Sequence, residues 1–312
     1  MRVLIIGGTR FVGYHLTWQL VREGHQVVLF NRGRQAAVLP EGVERLLGDR
    51  DQPEQVRQLL ADQQFDAVFD TSGRKREQTA LFAELLRGKV QHFGYISSAG
   101  VYALAEEWPL TEASPIDPKS RHIGKWETDD YLLSDPQLRA TSIRPVYIYG
   151  PQNYNDIEAW FFDRLVRDQP ILIPGDGQTL TQLGHALDLA RACTAILGKE
   201  RAVGQVYNVS GSHFVSFTGL ALACAEACQK SAQLLYFDSA SLGRKFFPLR
   251  QQHFFSSIAK AERDLAWSPD FSLVAGLTDS WQWYQASGRA NSAADFSQDQ
   301  AIRSAMGGRH GG

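Results

Sequence analysis

The sequence is short of cysteine and of long apolar runs. Cys193, Cys224 and Cys228 are the only cysteines in 312 residues, and Cys224 and Cys228 stand four apart in an apolar helical stretch. The number is odd and no Cys-x-x-Cys occurs, so buried reduced thiols are expected, not a disulfide frame or a thiolate metal site. No apolar run approaches the roughly 20 residues that a bilayer span needs, so no membrane partner is expected. Met1 leads directly into an apolar strand with no charged-then-apolar leader, and a cytoplasmic location is the expectation. An excess of one charge sign is missing too. Lys and Arg number 32 against 34 Asp and Glu, a formal net charge of -2, which excludes a chain coated in positive charge but leaves room for a local basic cleft. There is no internal repeat, and no His or carboxylate spacing is diagnostic of a metal.

With 44% hydrophobic and 11% aromatic residues, the chain has enough apolar matter for one large core or a core plus a small second domain. "RVLIIG" (2 to 7) is a short β-branched run ending in glycine, and "FVGYHLTWQLVREG" after it repeats apolar residues at helical spacing and stops at Gly24. Further strands are predicted at 26–31, 43–48, 66–70, 92–97 and 140–150, with helices near 53–62, 76–87 and 120–134 between them. This alternation predicts an α/β fold, a Rossmann-like doubly wound parallel sheet, over residues 1–170. Residues 171–285 read as a smaller mixed α/β lid whose elements interleave with the first domain. Residues 286–312 lack apolar periodicity and read as a mobile tail.

"GGTRFVG" follows the first strand and opens the first helix, the context in which a glycine pattern signals dinucleotide binding. Gly7 suits the tight turn and Gly13 close helix packing, and the helix N-terminus offers amides to a pyrophosphate. Arg10 stands where glycine usually lets the backbone approach phosphate. The second strand ends "FNRGR"; Asn31 and Arg32 in place of an acidic residue suit a 2′-phosphate, so NADP is the expected nicotinamide cofactor. Gly7, Thr9, Arg10, Gly13, Asn31, Arg32 and Asp49 form the candidate cofactor set.

"GGTRFVG", "ISSAGVY", "RPVYIYGP", "GDGQT…H…DLA" and "YNVSG" together resemble an extended short-chain dehydrogenase/reductase of the sugar-nucleotide epimerase/dehydratase group, from Met1 to about Tyr284. More closely, "DPKSRHIGKWETDDYL", "TSIRPVYIYGPQNYNDIEAWFFDRL" and "FPLRQQHFFSSIAKAERDLAW" resemble the chloroplast stem-loop-binding proteins and their bacterial relatives. That resemblance implies an epimerase fold turned to RNA binding, endonucleolytic cleavage of stem-loop RNA aided by a divalent metal, and association with ribosome or RNA polymerase complexes. A homo-oligomer is a further expectation.

The parent superfamily works with a Ser, Tyr and Lys; here the matching positions hold Ser98, Arg121 and Lys125. A guanidinium stays protonated and cannot serve as a base near neutral pH, so the resemblance implies loss of the parental redox chemistry. His122 is adjacent, but one residue along a helix turns a side chain by about 100°, and it is expected to point elsewhere. Thr181 stands where sugar-nucleotide enzymes often hold the diphosphate with arginine. Arg250 retains a later phosphate-facing arginine, and His253 replaces an acidic residue. His185 and Asp188 are expected to orient the lid helix.

Ligands of doubly wound sheets bind beyond the carboxyl ends of the strands. Those loops carry Arg10, Arg32, Arg34, Arg74, Lys75, Arg76, Lys119, Arg121, His122 and Lys125, a basic rim in a neutral chain. Arg74, Lys75, Arg76, Lys119, Arg121, Lys125 and Arg250 are the candidate RNA or phosphate contacts, with Tyr147, Tyr149, Tyr154 and Trp160 as stacking faces. Asp49, Asp51, Asp70, Asp129 and Asp130 with His122, His185 and His253 are available to a metal, but none is assigned as a nuclease catalyst. The expected function is RNA binding, with endoribonuclease activity. The alternatives are an NADP-dependent sugar-nucleotide epimerase, dehydratase or reductase, and a catalytically silent cofactor-sensing scaffold.

Overall fold

In the computed structural model, which describes residues 1–238 and 246–307, the first apolar run forms β1 (Arg2–Ile6). It is followed by β2 (Gln26–Asn31), β3 (Glu44–Leu47), β4 (Ala67–Asp70), β5 (His92–Ile96) and β6 (Ala140–Pro145). With the strand Gln205–Val209 these build one sheet, ordered Gln205–Val209, β6, β5, β4, β1, β2, β3, and all of its pairings are parallel. The helices in chain order are α1 (Phe11–Arg22), α2 (Pro53–Leu60), α3 (Arg76–Leu86), α4 (Ile123–Ser134) and α5 (Glu158–Val166). After them come α6 (Ala186–Thr194), α7 (Phe217–Ala227), α8 (Ala259–Leu265), α9 (Leu273–Ala286) and α10 (Ser297–Gly307).

β1 reads as a continuous apolar run because both of its faces are covered, as in parallel sheets generally. Its side chains alternate between two cores. Val3 and Ile5 join Leu16 and Leu20 of α1 and Leu189 and Cys193 of α6, whereas Leu4 and Ile6 join Phe82 of α3 and Leu132 of α4. The doubly wound α/β architecture expected from the sequence is present.

The chain divides into two units. The first holds residues 1–148, 184–212 and 256–270, and the second 149–183, 213–255 and 271 onward. The boundary at 170 is therefore replaced by a threaded arrangement, since the strand Gln205–Val209 supplies the sheet's edge, α6 packs on α1, and α8 packs on that strand. α6 is thus not a lid helix. In the second unit α5, α7 and α9 pack together, with Phe161, Phe162, Phe217, Leu220, Leu277 and Tyr284 all buried. A parallel pair, Ile171–Pro174 with Leu234–Phe237, belongs to the same unit.

The single strand expected over 140–150 is interrupted. β6 ends at Pro145, which has no N–H for a ladder, and Tyr147–Tyr149 forms a separate short strand. The stretch expected to be a tail carries α10, whose Asp299 makes a two-bond pair with Arg164 of α5 at 2.8 Å for each bond. Residues 308–312 lie outside the described residues. The three cysteines are buried free thiols, and burial pushes each of them up from its ordinary value. No helix among the described residues is long and apolar enough to cross a membrane.

Candidate functional site

The turn after β1 demands glycine on two grounds. Gly7 has φ +114°, and a Cβ there would lie 2.5 Å from Thr71 Oγ1; a Cβ on Gly13 would lie 2.7 Å from the amide of Gly8. The two glycines therefore allow the tight turn and the close packing of α1 against it. Thr9 is half-buried in this turn and Arg10 is exposed, with extended backbone at the helix N-cap. The left-handed conformation falls instead on Phe11, at φ 40°, an uncommon place for a bulky side chain. Asn31 ties the end of β2 to the turn. Its Nδ2 donates to the Gly7 carbonyl at 3.3 Å, and its Oδ1 accepts from Gly33 N at 2.9 Å and Arg45 Nη2 at 3.0 Å. Arg45 was not among the sequence candidates, although it alternates outward on β3 beside the exposed Arg32 and Arg34. Asp49 is half-buried and accepts from Asp51 N at 3.2 Å.

At the end of β4, Asp70 is fully buried. Arg50 donates to both Asp70 oxygens at 3.1 and 2.7 Å, and the Asp70 carboxylate also accepts from Ser72 N, Gly73 N and Thr79 Oγ1. Burial would raise this carboxyl, but the Arg50 charge and the hydrogen bonds hold it below the ordinary value. Asp129 accepts from Ser97 Oγ at 2.9 Å, Arg144 Nε at 2.9 Å and Ser142 Oγ. Both carboxylates are thus committed to internal partners. Among the described residues no group of three His, Cys, Asp or Glu is placed to hold a metal ion.

The basic rim is gathered at the start of α4. A Cβ on Gly124 would lie 2.5 Å from the Arg74 carbonyl oxygen and 3.3 Å from Lys75 Cα, so the loop before α3 rests directly on the first turn of α4. That contact brings Arg74 and Lys75 beside the segment holding Lys119 and Arg121; all four side chains are exposed. Arg76 places its guanidinium 4.8 Å from the centre of the Tyr131 ring. Lys125 turns inward instead: its Nζ donates to the Ile96 carbonyl at 2.6 Å, and burial lowers it to about 8.

His122 does not point away. Residues 121 and 122 precede α4, which begins at Ile123, so the rotation of 100° per residue does not apply to them. Arg121 Nε donates to His122 Nε2 at 3.0 Å. A Cβ on Gly100 would lie 2.6 Å from His122 Cδ2 and 3.0 Å from both His122 Nε2 and Ser98 Oγ. Ser120 holds this corner by donating to the Gly100 carbonyl at 2.7 Å and accepting from His122 N at 3.0 Å.

Most of the remaining candidates pack or bond within their own unit. His253 Nδ1 accepts from Leu180 N at 2.9 Å, Thr181 is buried, and the Arg250 guanidinium lies 4.4 Å from the centre of the Phe254 ring; all three belong to the second unit. His185 caps α6 by accepting from Leu187 N, and Asp188 accepts from Arg191 and Asp270 N within the first unit. Of the proposed stacking aromatics, Tyr149 is buried, Trp160 packs on Phe161 and Phe247, Tyr147 is half-buried and Tyr154 is exposed.

Residues 3–210 match the NAD dependent epimerase/dehydratase family. The chain belongs to that family. Within it, the chain is 43% identical over 97% of its length to the chloroplast stem-loop binding protein of 41 kDa b of Arabidopsis thaliana, covering 84% of that protein, so it belongs with the stem-loop-binding branch. It is 27% identical to the 2′-dehydrokanamycin reductase of Streptomyces kanamyceticus over 68% of this chain and 62% of that one. Among solved structures, UDP-glucose 4-epimerase from Thermotoga maritima superposes with a TM-score of 0.79 at 20% identity, over 92% of this chain and 99% of that one. dTDP-glucose 4,6-dehydratase from Bacillus anthracis, in complex with NAD, gives 0.78 at 18% identity over 93% and 98%. The epimerase/dehydratase fold is thus kept.

Proposed function

We propose that this family member binds RNA through the phosphates that lie across the rim at the first turn of α4, and that it has left the parental hydride chemistry. The observation that supports this reading is the seating of the Arg74–Lys75 loop on Gly124, in the segment that also holds Lys119 and Arg121, in a chain of net charge -2. The name of the Arabidopsis relative, a stem-loop binding protein, supports RNA as the partner, and stem-loop RNA is the substrate class for cleavage. Each cation that neutralises a phosphate releases counterions, so affinity falls steeply with salt, with a slope of about 0.7 to 0.9 per contact. Replacing Arg74, Lys75 and Arg76 together with alanine should weaken binding of a stem-loop RNA and flatten that slope by about 2. An equal triple change at Lys230, Arg263 and Arg303 should leave both unchanged. Equal slopes in the two triple variants would place the RNA elsewhere.

A dinucleotide reading of the glycine turn also has support. Gly7, Gly13 and the start of α1 would hold the pyrophosphate, and Arg32 and Arg45 flank Asn31, where a 2′-phosphate of NADP would need cations. A bound nicotinamide would supply a hydride acceptor, but Arg121 offers no proton exchange beside it.

A further inference from the structure

The loop between β4 and α3 carries Arg74 and Lys75. In the sheet β1 and β2 stand between β4 and β3, so strand pairing does not tie this loop to the turn after β3. Side chains make the tie instead. Arg50, in that turn, donates from Nη1 to Asp70 Oδ1 at 3.1 Å and to Ser72 Oγ at 2.7 Å, and from Nη2 to Asp70 Oδ2 and the Gln78 carbonyl, both at 2.7 Å. All four Nη hydrogens are thereby engaged. The fifth donor, Nε, is buried without a hydrogen-bond partner among the described residues, so Arg50 has no accessible N–H to offer a phosphate. Gln78 closes the loop from the other side. It is the third residue of α3; its Oε1 accepts from Arg74 N at 3.1 Å, and its Nε2 donates to Asp51 Oδ1 at 3.1 Å. A glutamine at that position commonly reaches back to the start of its own helix, and here it also reaches the turn that holds Arg50. With Asp70 accepting from Ser72 N and Gly73 N, and Tyr95 OH donating to the Gly73 carbonyl, the backbone of residues 72–74 is bonded residue by residue. The Arg74 and Lys75 side chains stay exposed.

We propose that Arg50 and Gln78 are positioning residues for RNA: without touching it, they hold residues 72–75 in the shape that presents Arg74 and Lys75 to the phosphates. This deepens the RNA-binding reading and rests on it. Ordering a loop backbone and its long side chains opposes binding, and a loop already fixed before RNA arrives removes much of that cost. The seat on Gly124, where the Arg74 carbonyl and Lys75 Cα meet the first turn of α4, is the second fixed point of the same loop. Two kinds of rim variant follow. Loss of Arg74 or Lys75 removes a cation and with it part of the counterion release that sets the salt slope. Loss of the Gln78 amide or of the Arg50 fork leaves both cations in the chain, and RNA still gathers them, but only after ordering the loop. Affinity then falls by the same factor at every salt concentration: the line of log affinity against log salt is displaced in parallel instead of flattened.

The test measures the affinity of the full chain for a synthetic stem-loop RNA across a series of salt concentrations. Gln78→Met keeps the length of the side chain and removes both of its hydrogen bonds. Arg50→Lys keeps a cation beside Asp70 but lacks the fork. Neither variant changes the charge of the chain. Each should weaken RNA binding by about five- to tenfold while keeping the wild-type slope. Gln78 is half-buried at the surface, so its variant keeps the test decisive should Arg50→Lys fold poorly. In a chain where Arg74 and Lys75 are already alanine, Gln78→Met should change affinity by less than about twofold, a non-additivity that general damage to the fold would not produce. A flattened slope in Gln78→Met or Arg50→Lys, an affinity within about twofold of wild type in either folded variant, or an undiminished effect of Gln78→Met in the background lacking Arg74 and Lys75 would each overturn the positioning role and leave RNA binding at the rim intact. If the double change Arg74→Ala with Lys75→Ala itself left affinity and slope as in wild type, the RNA reading beneath would fall, and the positioning role with it.

Discussion

Arg50 and Asp70 meet through two parallel hydrogen bonds, Nη1 to Oδ1 at 3.1 Å and Nη2 to Oδ2 at 2.7 Å, with the carboxylate wholly buried. Removing one partner leaves the other charge buried alone, so Arg50→Ala should cost about 3–5 kcal/mol. The folded Asp70 carboxyl is held below its ordinary 3.8. A depressed acid contributes stability that is full above 3.8 and is lost as pH falls through the lower folded value. Asp70→Asn should therefore lower stability at neutral pH and weaken the remaining dependence on acid, as read from urea midpoints between neutrality and pH 2.

Lys125 supplies an internal control for the rim. Its ammonium donates into the Ile96 carbonyl, so Lys125→Met should leave the salt slope of RNA binding unchanged, in contrast to the variant lacking Arg74, Lys75 and Arg76. Burial lowers its folded value from 10.5 to about 8. The unfolded chain then binds more protons between those limits, and stability attributable to this group rises with pH across them. The urea midpoint of wild type relative to Lys125→Met should climb from pH 8 to 10.5; a flat difference would contradict the inward position.

Asn31 is held between the Gly7 carbonyl and Arg45, with Arg32 exposed alongside. NADP should bind more tightly than NAD. Arg32→Ala and Arg45→Ala should each weaken NADP by about tenfold, the scale of one charged hydrogen bond, while leaving NAD within about twofold. Calorimetry that finds NAD the tighter ligand would reject this assignment.

With Arg121 at the acid–base position, no steady-state turnover of nicotinamide with UDP-sugars should reach the ordinary enzyme range, about 1 per second and above. Chromatography of the UDP-sugars, together with absorbance of any reduced nicotinamide formed, checks this, since an epimerase regenerates its nicotinamide in every cycle. Turnover in that range would restore the epimerase or reductase alternatives.

The sheet was readable because β1, β2 and β4 are built on continuous apolar runs between helical periodicities, and periodicity reports burial directly. The assignment of Arg121 to the tyrosine position had a different source, the resemblance around it. His122 was misjudged because a helix starting at 120 was assumed, and the turn before Ile123 sets its direction instead. Arg45 and Arg50 were missed since their partners, Asn31 and Asp70, lie 14 and 20 residues away, and through-space pairing leaves no periodic trace. The same holds for α10, whose anchor is an ion pair instead of an apolar stripe.

That anchor ties a distant part of the chain to α5. The Arg164 guanidinium lies 3.4 Å from the centre of the Trp160 ring and near Phe246 and Phe296, and its carboxylate partner Asp299 follows 135 residues later in the chain. All residues of the first unit precede Phe271. The second unit carries an arginine whose counterion lies beyond that point. A chain that stops before Ser297 leaves the Arg164 guanidinium, half enclosed by rings, without its countercharge.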